Sequence, residues 1–308
     1  MKYMIFFALI LTTSYSTWSN ASPLALEDEY QLFGQGMLNL KKIIGHKPIY
    51  MKFWATWCLE CRDELPSLQK AYEKHGGQIA MFAVNLNINE SDEQIRHFQR
   101  RSQLTIPILM DNNGSIAGNF NFYGTPFHVL LNQKGEIVYS SYKDDRQLAE
   151  NLEHLANQQA LKNRQFVHRY PEAMSPTMIK GNTSLIFISA TWCDWYMEEI
   201  HPNMANNCIA ATKLVNDLHN RYPSIPIQGY VTNRWTEQKD LESYIKKYSI
   251  NYPVSLDISN QIARQYHSEQ FPTLLVFKDG IESRRFTQFS RFAQVSYELD
   301  NLIEAKSH

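Results

Sequence analysis

The chain has 308 residues, 30 Lys and Arg against 31 Asp and Glu, and 44% hydrophobic residues of which aromatics are prominent. Near-neutral charge without a basic stripe excludes a nucleic-acid partner on electrostatic grounds, and no acidic tail marks a disordered segment. Four cysteines are too few for a scaffold stapled by disulfides, yet an even count permits two bridges in an exported protein.

The first element is a targeting segment. Lys2 precedes the apolar run Met4 to Leu11 (MIFFALIL), which is too short to span a bilayer, and Ser19-Asn20-Ala21 follows with small residues at the positions a signal peptidase reads. Residues 1–21 are expected to be a cleaved signal peptide, with an uncleaved anchor as the alternative, which places the mature chain in the periplasm or otherwise outside the cytoplasm. No cysteine adjoins the cleavage site, so a lipoprotein anchor is not expected. The remainder suffices for two domains of ordinary size.

Next comes KPIYMKFWATWC (Lys47 to Cys58), a β-branched and aromatic run that ends in a cysteine. It predicts a buried strand, a short loop, and a helix beginning at the cysteine. Thr183 to Cys193 (TSLIFISATWC) repeats the pattern and shares Ala-Thr-Trp-Cys with it. Downstream of each cysteine, the same succession recurs: a strand, a polar loop, an amphipathic helix and a short strand opened by proline. A further proline, a strand, a turn at Gly135 or Gly280 and another strand follow. Pro107 and Pro126 are 19 residues apart, as are Pro253 and Pro272. The chain therefore reads as an internal duplication. Its element order, taken as βαβαββα per copy, predicts an α/β fold with a central mixed sheet flanked by helices. A polar helical stretch over 144–173 joins the copies, and the expected domains are 22–155 and 156–308.

In the first copy, Cys58 and Cys61 form a C-x-x-C pair. A cysteine at a helix N-terminus meets unpaired backbone N–H groups and the positive end of the helix dipole, which favours the thiolate. Cys61 lies one turn on, within disulfide reach. Redox chemistry competes here with a zinc half-site, for which no further ligand pairs are visible, and with a purely structural disulfide. The acid Glu60 between the cysteines disfavours a nearby thiolate and points towards a reductant.

The second copy reads Cys193-Asp194-Trp195-Tyr196, with tyrosine where a resolving cysteine would stand. Its one remaining candidate partner is Cys208. A continuous helix would hold the two about 22 Å apart, so they pair only if HPNMANN (His201 to Asn207) breaks it. A non-catalytic binding or dimerisation module, a monothiol at Cys193 and a Cys193–Cys208 pair all stay open.

Together, FWATWCLECRDELP, the lead-in LALEDEYQLFGQGMLNLKKIIGHKP, FAVNLN with IRHFQRRSQLTIPILMD, and YGTPFHVLLNQKGEIV resemble the exported TlpA/ResA-like branch of the thioredoxin superfamily. The resemblance covers nearly all of the chain after residue 21. It implies two tandem thioredoxin-like domains, the second degenerate, and thiol–disulfide exchange at Cys58 and Cys61 without cofactor or metal. Trp57 would shield Cys58. Pro126 would be a cis-proline that aims the backbone of Thr125 at the substrate, and Pro272 would match it. Glu64 matches an acid that ResA-like proteins carry beside the dithiol; it would shuttle a proton or lift the thiol pKa values, unless it is a solvated helix carboxylate. Thioredoxin has a buried aspartate six residues before its first cysteine, and here Lys52 stands there. His128 reads as a sheet residue. Expected partners are disulfide- or thiol-bearing exported proteins, with room for an upstream membrane electron donor. A chaperone-like scaffold that holds clients with little turnover is the alternative.

Overall fold

The computed structural model describes residues 29–304 except 121, 160, 162–182 and 269. The expected signal segment and most of the joining stretch after Ala156 lie outside the described residues. In the first domain the elements are β1 (Glu29–Leu32), β2 (Gly36–Asn39), β3 (Ile49–Trp54), α1 (Leu59–His75), β4 (Ala80–Asn85), α2 (Asp92–Arg101), β5 (Ile108–Met110), β6 (Phe127–Leu131), β7 (Ile137–Ser141) and α3 (Arg146–Ala156). The second holds β8 (Thr183–Ser189), α4 (Pro202–Arg221), β9 (Ile227–Thr232), α5 (Gln238–Tyr248), β10 (Val254–Asp257), α6 (Gln261–Gln265), β11 (Thr273–Lys278), β12 (Ile281–Phe286) and α7 (Phe292–Glu304).

The sheets run β2-β1-β5-β4-β3-β6-β7 and β10-β9-β8-β11-β12. Removing the N-terminal hairpin β1–β2 leaves the same order in both, so the duplication extends to topology. Beyond that hairpin each copy holds one strand more than the string βαβαββα counts; the short proline-opened strands read from the sequence are present as β5 and β10, parallel to β4 and β9. The central strands are buried along their whole length: all six residues of β3 are covered. A strand clad on both faces needs a continuous apolar run rather than alternation, which is what IYMKFW supplies, Lys52 excepted.

Local signals set the helix limits. Ser91 and Gln94 form a reciprocal capping box at the start of α2. The largest departure from expectation lies after β8. Residues 191–200 form a series of turns, and α4 starts at Pro202, not at Cys193. Proline favours the first helical position because its missing N–H would be unpaired there anyway. It also pushes the residue before it out of the helical region, and His201 has φ −142° and ψ 70°.

Candidate active site

β3 ends at Trp54, and the turn over 55–57 delivers Cys58 as the N-cap of α1, with φ −75° and ψ 108°. The backbone N–H of Cys61 donates to Cys58 Sγ at 3.2 Å. The two cysteines are joined as a disulfide with Cα atoms 5.3 Å apart. The sulfur of Cys58 thus sits where the unpaired N–H groups of a 17-residue helix converge. Trp57 is held over this turn by its indole N–H, which donates to the Ile88 carbonyl at 2.9 Å. The antiparallel pairing of β3 with β6 sets Phe53 opposite Phe127. That register brings Thr125 and Pro126, joined by a cis peptide bond, to the same end of the sheet.

Behind the dithiol lies a charged network. Lys52 Nζ, on β3, is fully buried and 2.6 Å from Glu64 Oε2. His128 Nε2 approaches the same oxygen at 3.4 Å, and its Nδ1 is 2.7 Å from the Tyr50 hydroxyl. Burial pushes the Glu64 carboxyl up, but the His128 hydrogen bond and the Lys52 charge outweigh it and hold the pKa below its ordinary value. Burial lowers Lys52 by more than Glu64 raises it. Burial likewise lowers His128, against the hydrogen bond to Glu64. Glu64 is therefore a paired carboxylate, not a solvated one. Glu60 is exposed on the first turn of α1.

In the second domain, Cys193 lies in the turns and Cys208 on α4. A disulfide joins them, with Cα atoms 6.1 Å apart. The chain doubles back over 194–201, so the span of a continuous helix does not apply. HPNMANN does not interrupt a helix; most of it belongs to the beginning of α4. Asp194 is buried and tied down by Lys247 at 2.7 Å and by the Tyr248 hydroxyl. Glu199, which corresponds in sequence to Glu64, is exposed in the turns, and Phe187 stands where Lys52 would pair with it. The Phe271–Pro272 bond is cis, like Thr125–Pro126.

The two cysteine-bearing ends face each other. Trp57 stacks on Trp192 with centroids 5.4 Å apart, and Trp235 packs edge-on against both at 5.5 and 5.3 Å. The contacts are reciprocal. Asn89, from the loop after β4, accepts the Phe271 N–H at 2.7 Å and donates to the Phe271 carbonyl at 2.9 Å. Trp235, from the loop after β9, donates its backbone N–H to the Tyr123 carbonyl at 2.9 Å and its indole N–H to the Thr125 carbonyl at 3.4 Å. Each domain thereby occupies the residue that precedes the other's cis-proline. The Leu59 N–H donates to the Tyr196 hydroxyl at 3.4 Å. Cys58 is left 3% exposed. Arg234, from the same second-domain loop, is buried over the Phe122 ring and acts electrostatically on Asp111, whose pKa burial raises to about 6.

Sequence reasoning singled out Cys58, Cys61, Glu64, Trp57, Thr125, Pro126, Cys193, Cys208 and Pro272, and the structure gathers all but Glu64 at the domain junction, where Cys193 and Cys208 pack in the same hydrophobic cluster as Cys58 and Cys208 Sγ lies 4.0 Å from the Phe271 carbonyl that Asn89 reaches. Glu64 sits behind the dithiol, in the Lys52–His128 network, and the Cys193–Cys208 bridge lies within the second domain. Asn89, Trp192, Trp235, and Tyr196 as a cross-domain contact, were missed. The one available signal was the pair of tryptophans in positions where no strand or helix period requires them. Among the described residues, no group of three or more His, Cys, Asp or Glu is placed to hold a metal ion.

Comparison with known proteins agrees with this geometry. The AhpC/TSA family model matches residues 24–140. Thioredoxin-like protein YneN of Bacillus subtilis is 30% identical over 148 residues, which cover 44% of this chain and 86% of that protein. Sporulation thiol-disulfide oxidoreductase A of the same organism is 36% identical over 95 residues, 30% of this chain and 57% of the relative. Thiol-disulfide oxidoreductase ResA of Halalkalibacterium halodurans is 29% identical over 101 residues, 33% of this chain and 56% of the relative. The chain thus spans most of YneN but little more than half of the other two. A shared sheet order in both halves, a cysteine pair at a helix start beside a cis-proline, and the extent of the YneN match make this chain a member of the thioredoxin superfamily, with two thioredoxin-like domains in tandem.

Proposed function

We propose that the chain is an exported thiol–disulfide oxidoreductase that works as a disulfide reductase through Cys58 and Cys61. The observation that carries this reading is Cys58 at the N-cap of α1, with the Cys61 N–H on its sulfur and cis-Pro126 alongside. Reduced Cys58 would attack a substrate disulfide as the thiolate, form a mixed disulfide and release one substrate thiolate. Cys61, deprotonated, would then attack Cys58 Sγ, release the second substrate thiolate and restore the Cys58–Cys61 bridge. Two electrons pass from the dithiol to the substrate, and a thiol or dithiol donor must restore them. Glu64 is one turn along α1 from Cys61 in sequence, and would take up the Cys61 proton through its network. Glu60 supports the reducing direction, because an acid between the cysteines raises the cost of the thiolate. The second domain is a binding and covering module, and its Cys193–Cys208 bridge is structural.

The test compares wild type with Cys58→Ser in reduction of a model disulfide. Equal rates would end the proposal. A reduction potential near the strongly oxidising value of about −120 mV would reverse its direction.

A further inference from the structure

We infer that the second domain closes the Cys58 site into an aromatic chamber that selects compact, low-molecular-weight disulfides over polypeptide substrates, with Trp235 as the specificity-determining residue. The inference rests on the reductase reading above and narrows its substrate.

Two observations carry it. The first is the occupation of the substrate strand's place. An extended peptide would add to the edge next to a cis-proline by main-chain hydrogen bonds. The carbonyls it would use, those of Tyr123 and Thr125, already accept both N–H groups of Trp235. The indole lies so close on the intervening Gly124 that a Cβ there would come within 2.3 Å of Trp235 Nε1. No second chain fits between them. The equivalent place in the second domain is filled from the other side, by Asn89 on Phe271.

The second is the space that remains. A cavity of about 110 Å³ adjoins Cys58, walled by Trp57, Trp192, Trp235 and Tyr196. Its rim carries Glu60 and Trp195, and Trp195 is 60% exposed, so the cavity opens to solvent on that side. An apolar protein cavity of about 150 Å³ takes up benzene. The chamber therefore suits one small, flat or apolar substituent of a disulfide and not a folded chain. Exchange in it balances as above: the small disulfide takes two electrons from the Cys58–Cys61 dithiol and leaves as two thiols.

The test uses the full chain, pre-reduced and then freed of reductant. It is mixed with bis(2-hydroxyethyl) disulfide or with insulin, and re-formation of the Cys58–Cys61 bridge is followed by thiol trapping and mass spectrometry. The expected second-order rate constant is larger for the small disulfide by more than about tenfold, one step of 1.4 kcal/mol. In Trp235→Ala, and separately in Gly124→Ala, which pushes the indole off the backbone, that ratio falls by about tenfold. A wild-type ratio near unity, or a ratio unchanged in both variants, overturns the inference while the reductase reading stands. A dithiol that neither disulfide oxidises overturns the reductase reading and the inference with it.

Discussion

Glu64→Gln tests whether the acid and the buried lysine behind the dithiol work as a unit. Lys52 has no solvent contact, and Glu64 Oε2 is its partner at 2.6 Å, while the Glu64 side chain keeps 16% exposure. Removing one member of a buried ion pair typically costs about 3–5 kcal/mol, because the other charge is stranded. Partial exposure of Glu64 lets water reach the gap, so a loss of about 3 kcal/mol is expected. The variant also widens a pH dependence already present in the wild type. Lys52 already titrates below its ordinary value because burial penalises the cation, and without Glu64 it falls further. Between that folded-state value and the unfolded value near 10.4, the unfolded chain binds one proton more than the folded one. The stability of the variant therefore rises with pH across that window. In the wild type, Glu64 is held below its ordinary value, so its contribution is present above about 4.3 and is lost as pH falls further. Urea unfolding at pH 7 and 9 reads the loss and the pH dependence of the variant, and a wild-type series from pH 5 downwards reads the Glu64 window. Lys52→Met combined with Glu64→Gln removes both charges and should recover most of the loss. Single losses that add in the double variant to within about 0.5 kcal/mol would refute the idea that the two charges are coupled.

Breaking the bridge between Cys193 and Cys208, which closes a loop of sequence separation 15, should cost the second domain about 3 kcal/mol. Cys208→Ala shows this as a lowered urea midpoint, and alkylatable thiols at both positions in oxidised wild type would contradict the bridge itself. Glu90 accepts the Thr56 N–H at 2.6 Å and an Asn85 amide hydrogen at 3.1 Å, and burial raises its pKa to about 7. The folded chain then holds a proton that the unfolded chain lacks between about 4.3 and about 7, and stability falls by up to about 1.4 kcal/mol per pH unit there. Glu90→Gln should remove that one proton's share of the slope; an identical slope in both proteins would show that Glu90 is ionised throughout.

Much of the architecture is readable from residues alone. Ala-Thr-Trp-Cys in both halves and equal proline spacings reveal the duplication, because each proline opens a strand at the same place in the sheet. Cys58 at a helix start follows from a strand that ends four residues earlier. The turns at 191–200 were not foreseen, since TWCDWYMEEI has the composition of an amphipathic helix. The stop was written two residues later, in Pro202, whose preference for the first helical turn outweighs that composition. Lys52 was legible as a departure from the buried aspartate that thioredoxin carries at that place, but not as half of an ion pair. Its partner is twelve residues away on a different element, and only the packing of α1 on β3 shows that they meet. His128 is a sheet residue, as read, but its strand also carries it to Glu64. Contacts between the domains leave no periodic trace, so Asn89 and Trp235 could not be assigned from pattern.

The face-to-face seating of the domains bears on why the second copy lost its sulfur. Two identical subunits that met in this way would form a symmetric dimer, and any residue at one dithiol would be repeated at the other. One covalent chain lifts that constraint. The tether keeps the halves at a local concentration of the order of millimolar, so the meeting persists without equivalence. Position 196 is then free to carry a phenol ring that reaches the Leu59 N–H, a role that a cysteine at position 61 in the first half could not take on while still closing its own bridge. Division of labour between copies follows from joining them, and the tyrosine is the mark of it.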